Sequence, residues 1–504
     1  MSKIVELKKA ILSSFLIFSF IFSQTVLAQE VEKEQKVEKK EDKEVESEDT
    51  KVEKKDGKVI VTNSAKGRLP VILIPGLIGS ELINKNTNEK VWFDLGRSKD
   101  DDLRLPISTN LKANRDSLVA GDILRKIQLV RFTPEIGIYQ KLIEVLQKDG
   151  FVEGKIDSPQ SGGDADTFYV FPYDWRLDNV ENAQLLLTKI EQLRTKLNRP
   201  DLKFNLVGHS MGGLIARYAG MYGKADLTTR TPRPMWKGAT FINSISMVAT
   251  PNSGALSTLD SLLNGFSLFG SGKINLPFVQ NVTKYDLFTI QSIYQLLPHT
   301  GTARAFDENL KPLKIDLLNP ATWEKYGWTA YTDKAFTEKF DAAEQAQAKQ
   351  YFRAVLSRAK LFQNALNANS ASRNTIPMYY LGAECKPTID GMIIRRDSKK
   401  GLWKTDFGTS AYTKSNGEKV TKEQTEVVLL APGDGVVPKR SLVASFLKLD
   451  KLRTIDSNVI VVGGEAKTCD EHNRLTGNDL VVKNLLGVLN NNSSKENNAV
   501  KSIK

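Results

Sequence analysis

Short apolar runs alternate with helix-spaced segments through much of this chain. Residues 69–74, 167–172, 239–248, 377–381, 426–430 and 458–462 are strongly apolar and flanked by Gly, Pro, Asn or Asp, the pattern of buried strands. A further run carries Phe204, Leu206 and Val207. Between these runs, residues 135–149 place Ile136, Ile138, Leu142, Ile143, Val145 and Leu146 at helical spacing and stop at Gly150. Residues 182–197 read as a second amphipathic helix, closed by Asn198-Arg199-Pro200, and 478–489 as a closing helix. Strands alternating with helices predict an α/β fold, a mostly parallel sheet with helices on both faces.

The alternation breaks between residues 255 and 374. Segments rich in Leu, Phe, Gly and Pro (262–269, 274–278) there precede longer polar helices such as 342–368. This stretch is expected to be a cap inserted into a core formed by 58–254 and 375–490, with 265–272 as a lid. Phe266, Leu268, Phe269 and Phe278 fit either an acyl groove or lipid-contacting surface, or the cap's own core. The polar tail, 491–504, is expected to be disordered.

Charge is distributed unevenly. The formal net charge is +12, yet residues 29–57 set twelve acidic side chains against eight lysines and hold almost no apolar residue besides valine. Such a segment buries too little apolar area to offset its ordering entropy and reads as a disordered linker. Its valines at 31, 37, 45 and 52 keep no heptad. The remaining body is strongly basic, which favours anionic surfaces such as acidic phospholipid headgroups. No Lys/Arg run or RNA-binding motif points to nucleic acid. Lys3, Lys8 and Lys9, the apolar stretch 10–22 and a small residue at Ala28 form a secretory signal over 1–28, and an uncleaved anchor is the alternative. The protein is therefore expected to be exported, secreted, periplasmic or bound to the cell envelope. No later stretch is long and apolar enough to cross a bilayer.

The chemistry centres on Gly208-His209-Ser210-Met211-Gly212, a G-x-S-x-G sequence between an apolar strand and a helix-compatible segment. A serine alcohol is a weak nucleophile and needs a base beside it. A sharp turn lifts it clear of the helix, Gly208 and Gly212 keep the turn free of bulk, and the Met211 N–H is left for a developing oxyanion. The strand 69–74 runs into Pro75-Gly76-Leu77-Ile78-Gly79, and Leu77 is the candidate for the second backbone donor.

Only three histidines are present. His209 sits inside the turn, with its ring expected to face away from Ser210, and His299 lies in the cap ahead of any candidate acid. His472 alone follows the order Ser, acid, His and is the expected general base. Asp434, in a glycine-flanked turn after residues 426–430, is the expected acid that orients it, since Asp470 and Glu471 lie too near in sequence. Cys385 and Cys469 each follow a core strand on this edge, and a disulfide between them would tether the His472 loop. No cluster of His, Cys and carboxylates suggests a metal, and no cofactor is expected.

With these residues placed, the chain resembles the lecithin:cholesterol acyltransferase family of lipid acyl hydrolases and acyltransferases. The resemblance rests on residues 70–82 (PVILIPGLIGSEL), 91–95 (VWFDL), 171–177 (FPYDWRL), 208–212 (GHSMG) and 433–438 (GDGVVP), with His472 at the matching place. It implies an α/β-hydrolase fold with a cap, attack by Ser210 on a phospholipid or related ester, an acyl-serine intermediate, and Leu77 and Met211 as the oxyanion hole. The chemical role of Tyr173-Asp174-Trp175-Arg176, a signature of that family, does not follow from the sequence. The segment 83–129 lacks the cysteine pair that forms a small membrane-binding element in the mammalian plasma members. The acyl acceptor is left as water or an alcohol. Two other readings stay open: a soluble carboxylesterase or thioesterase, and a non-catalytic envelope binding protein on the same scaffold.

Overall fold

The structure, a computed structural model, describes residues 51–55, 58–62, 67–94, 103–127, 136–230, 233–267, 281–368, 376–397, 401–444, 458–462 and 469–499. The signal segment 1–28, most of the 29–57 linker, and Leu268, Phe269 and Phe278 lie outside the described residues. The chain divides into two units, Met1–Ser64 and Ala65–Lys504. In the first, Lys51–Lys55 pairs antiparallel with Lys58–Thr62. The end of the expected linker is therefore a hairpin, and its two strands flank Asp56-Gly57, a strong two-residue hairpin signal.

The second unit is built on seven parallel strands: β1 (Val71–Ile74), β2 (Val152–Gly154), β3 (Thr167–Val170), β4 (Phe204–His209), β5 (Ile242–Val248), β6 (Met378–Ala383) and β7 (Asn458–Val462). Their order in the sheet is β7-β6-β5-β4-β1-β3-β2. The chain starts in the middle at β1, passes to the edge at β2, returns to fill the gap with β3, then crosses over β1 to begin β4 and continues outward to β7. That reversal makes the C-terminal ends of β1 and β4 the switch point, where open α/β sheets bind ligands. Every residue of β1 and β4 is buried, as befits strands covered on both faces.

Helices α1 (Gln140–Lys148), α2 (Asn179–Lys196), α3 (Met211–Tyr222), α4 (Ser257–Asn264), α5 (Ala342–Leu366), α6 (Lys422–Leu429) and α7 (Asp479–Ala499) complete the frame. Leu142, Ile143 and Leu146 of α1 and Val481, Leu485 and Leu489 of α7 share one apolar cluster with Val71, Leu73, Val207 and Val248. The opposite face joins Ile72 and Leu206 to α2, α3 and the cap aromatics Phe288, Trp323, Tyr351 and Phe352. The segment carrying these aromatics, expected to be a cap, therefore packs on the α2–α3 side of the sheet. Within it, Ala305–Phe306 runs parallel to Met392–Arg396, so residues after β6 also contribute to the cap.

Several elements depart from the hydrophobic pattern. Of residues 426–430, read as a core strand, all but Leu430 fall in α6, whose Thr421 side chain caps Gln424 while Gln424 reaches back to the Thr421 N–H. That reciprocal cap outweighs the apolar triplet, and Val427 is left 78% exposed. The strand that follows, Leu430–Gly433, pairs antiparallel with Lys386–Ile389 and lies outside the main sheet. Ile136–Gly137 pairs with Lys126–Ile127, so α1 starts at Gln140 instead of 135. The closing helix runs on to Ala499, through part of the segment expected to be a disordered tail.

Candidate active site

Ser210 sits between β4 and α3 with φ 51° and ψ −122°, a strained backbone for a residue with a side chain. Its N–H donates to the Val248 carbonyl at 2.8 Å, which pins the turn to the end of β5. A Cβ at position 208 would lie 2.6 Å from the Gly213 backbone, and one at 212 would lie 2.4 Å from the Ile74 carbonyl oxygen. Only glycine lets β4, α3 and the loop after β1 approach this closely. Met211 is the first residue of α3, and its N–H has no protein acceptor among the described residues.

His472 opens a turn, His472–Gly477, just ahead of α7. Its Nε2 is 3.0 Å from Ser210 Oγ and its Nδ1 is 2.8 Å from Asp434 Oδ2. The other carboxylate oxygen of Asp434 accepts from the N–H groups of Val436 and Val437 at 3.0 and 2.7 Å. The turn is braced by Thr388, whose Oγ1 accepts from the Gly435 N–H at 2.8 Å. Asp434 is buried and the His472 side chain is 13% exposed, so the acid–base pair is sheltered from water. Ser210, expected from the G-x-S-x-G turn, Asp434, from its glycine-flanked turn, and His472, from residue order, thus meet at the switch point although they lie on three separate loops.

The loop after β1 is the most heavily braced backbone near the serine. The Pro75 carbonyl accepts from Tyr173 Oη at 2.7 Å, the Ile78 carbonyl from Trp92 Nε1 at 2.9 Å, and the Ser80 carbonyl from Trp175 Nε1 at 3.1 Å. The Gly76 N–H donates to Tyr139 Oη at 2.9 Å, and the Gly79 N–H to the Gly76 carbonyl at 3.1 Å. The Leu77 N–H has no protein acceptor among the described residues. Position 76 also touches the nucleophile turn, since a Cβ there would lie 2.9 Å from Ser210 Cβ.

Tyr173-Asp174-Trp175-Arg176, whose role the sequence left open, is therefore a buttress for this loop. Arg176 anchors it from beneath: the fully buried guanidinium pairs with Asp116 at 2.6 Å and Asp174 at 2.8 Å. Two carboxylates around one buried cation offset its desolvation and hold its charge.

The remaining predicted residues divide. Cys385 and Cys469 form a disulfide with a Cα–Cα distance of 6.0 Å, tying the end of β6 to the segment before His472. Phe266 lies in a two-residue strand paired with Asn281–Val282 and packs against the main core. His299 is buried away from Ser210, with Nδ1 2.7 Å from Asn367 Nδ2, and burial pushes its pKa down to about 3. His209 turns its ring from Ser210 toward Tyr139 and the His472 carbonyl. Tyr139 and Thr388 carried no sequence signal of their own, each lying far along the chain from the loop it braces, and Trp92 was visible only as part of the 91–95 motif.

The parallel sheet, its strand order and the strained serine turn at the end of β4 define an α/β-hydrolase. A family model described as lecithin:cholesterol acyltransferase matches residues 132–462, a stretch that holds Ser210 and Asp434 and ends short of His472. The chain belongs to the lecithin:cholesterol acyltransferase family. It is 26% identical over 254 residues to lecithin-cholesterol acyltransferase-like 4 of Arabidopsis thaliana, a match covering 45% of this chain and 42% of that protein. Among solved structures, the Tle4–Tli4 complex is similar at a TM-score of 0.50 and 14% identity, over 84% of this chain and 98% of that one.

Proposed function

We propose that this protein is an exported serine lipid acyl hydrolase or O-acyltransferase that acts on phospholipids or related lipid esters. The observation that carries the reading is the row Ser210 Oγ, His472 Nε2, His472 Nδ1, Asp434 Oδ2, with links of 3.0 and 2.8 Å, beside the N–H groups of Leu77 and Met211, which have no acceptor among the described residues. Family membership supports the lipid ester as the substrate class. The disulfide supports an oxidising, extracytoplasmic setting. The basic body supports action at an acidic lipid surface.

In this mechanism Ser210 Oγ attacks the ester carbonyl carbon while His472 Nε2 takes the hydroxyl proton. The carbonyl oxygen gains the negative charge and is held by the N–H groups of Leu77 and Met211, each worth about 10²–10³ in turnover. Collapse breaks the bond to the alcohol, which leaves with the proton from His472, and an ester remains on Ser210. Water or an acceptor alcohol then gives its proton to His472 Nε2 and attacks the acyl carbon; the bond to Ser210 Oγ breaks, the serine takes that proton back from His472, and the acid or a new ester is released. Asp434 keeps the second proton of the ring on Nδ1 throughout.

The test is product analysis on phospholipid vesicles, with and without an added long-chain alcohol or sterol. Free fatty acid alone identifies a hydrolase; a new ester formed at the expense of free acid identifies a transferase. Turnover of soluble esters with none of vesicles would replace the lipid reading by a carboxylesterase. Absence of turnover on every ester would overturn the proposal.

A further inference from the structure

His209 has no part in the chemistry above, yet both of its ring nitrogens are engaged beside Ser210. The residue is buried, with 7% of its surface exposed. Nδ1 lies 2.9 Å from Tyr139 Oη, and Nε2 lies 3.2 Å from the carbonyl oxygen of His472. Tyr139 Oη is also the acceptor for the Gly76 N–H at 2.9 Å.

The direction of each hydrogen bond follows. An amide N–H can only donate, so the Tyr139 hydroxyl receives from Gly76 through a lone pair. Its proton is then free to point at His209 Nδ1, which must be unprotonated to accept it. The single proton of a neutral His209 is left on Nε2, aimed at a carbonyl that can only accept. Burial pushes the His209 pKa down to about 3, so the ring stays neutral over the working range. Burial also raises the Tyr139 pKa well above its ordinary value, so the hydroxyl keeps its proton. Every donor and acceptor is matched, with one proton arrangement.

The chain Gly76 N–H, Tyr139 O–H, His209 Nε2–H, His472 C=O joins three loops that the catalytic row does not join through one element. Gly76 belongs to the loop bearing Leu77, His209 to the nucleophile turn and His472 to the base loop. The His472 backbone is thereby held at both ends, since its N–H donates to the Asp434 carbonyl at 3.0 Å. With the Gly76 N–H taken by Tyr139, the neighbouring Leu77 N–H is the one left to face a substrate oxygen.

We propose that Tyr139 and His209 are positioning residues that lock the oxyanion loop and the base loop to the nucleophile turn, so that Leu77, Ser210 and His472 move as one unit. The proposal rests on the serine mechanism above. Neither residue touches substrate. Their contribution is registration, so their loss lowers turnover and leaves substrate binding almost unchanged.

The test uses the full-length protein, a soluble p-nitrophenyl ester and a p-nitrophenyl phosphonate that labels the serine. Tyr139→Phe and His209→Phe are each expected to lower kcat and the phosphonate labelling rate about 10–100-fold, the usual cost of losing an outer hydrogen-bond partner, with KM changed less than about threefold. His209→Gln, which retains an N–H near the His472 carbonyl, is expected to recover part of the loss. Wild-type kcat in both Phe variants, with Ser210→Ala inactive and unlabelled, would overturn this inference alone. Full turnover by Ser210→Ala would overturn the serine mechanism itself. The proton arrangement is checked without any variant, by nitrogen NMR of the three histidines in the wild-type protein. His209 is expected to remain the Nε2–H tautomer from pH 5 to 9, and a proton on Nδ1 or a titration near 6.5 would refute the proposal.

Discussion

Asp434 and His472 are joined twice, by the 2.8 Å contact of Oδ2 with Nδ1 and by the 3.0 Å bond from the His472 N–H to the Asp434 carbonyl. The acid thus fixes both where the ring sits and which nitrogen faces Ser210. In Asp434→Asn the amide oxygen is expected to keep the two N–H groups of Val436 and Val437, which turns the NH₂ toward Nδ1. The ring is then forced into the tautomer that presents N–H to the serine. Turnover is predicted to fall by about 10³–10⁴-fold with the melting temperature almost unchanged, measured by ester hydrolysis and calorimetry.

The Cys385–Cys469 bridge closes 84 residues of chain and ends three positions before His472. Replacing both cysteines by serine is predicted to cost about 2–4 kcal/mol in urea unfolding. Activity should fall further than stability alone explains at a temperature where the variant is still folded, because the base loop loses its tether. Equal specific activity of folded wild type and variant would show that the bridge serves stability only.

Tyr173 gives its hydroxyl proton to the Pro75 carbonyl inside the core. Tyr173→Phe leaves that carbonyl buried without a partner, a loss of about 1–3 kcal/mol. Since Pro75 directly precedes the Gly76–Leu77 loop, kcat is predicted to drop with it. Ester kinetics alongside urea unfolding check both effects, and a stability loss with unchanged kcat would separate the buttress from the oxyanion loop.

His209 and His299 are both buried neutral, with pKa values pushed from 6.5 to about 3 by burial. An unfolded chain takes up protons at these rings below pH 6.5 while the folded one does not. Stability is therefore predicted to fall as pH drops from about 6.5 toward 3, and these two groups contribute no slope above that window. At pH 4.5 the loss is on the order of 2–3 kcal/mol for each histidine. Unfolding midpoints at pH 7.5 and 4.5 measure it, and His299→Gln should shrink the difference.

Much of this was legible in the chain because it is local. The Gly208–Gly212 turn announces itself by two glycines that nothing larger can replace, and the buried strands by uninterrupted apolar runs. His472 could be found because two of the three histidines are excluded by order. What escaped was competition and distance. The Val427-Val428-Leu429 triplet looks like a strand until the Thr421–Gln424 cap is counted. Tyr139 sits 63 residues from Gly76 and 70 from His209, and nothing around it marks a tyrosine whose hydroxyl serves both. The Tyr173–Arg176 signature was visible as a motif, but its purpose lies in carbonyls far earlier in the chain.

The proposed mechanism requires a covalent ester on Ser210. Rapid acid quench of the wild-type protein during turnover of a phospholipid, followed by peptide mapping by mass spectrometry, tests it directly. The tryptic peptide of residues 204–217 is expected to gain the mass of one fatty acyl group at Ser210, and the adduct to be absent from Ser210→Ala, which turns over nothing. Turnover with no acylated peptide, or turnover surviving in Ser210→Ala, would contradict it.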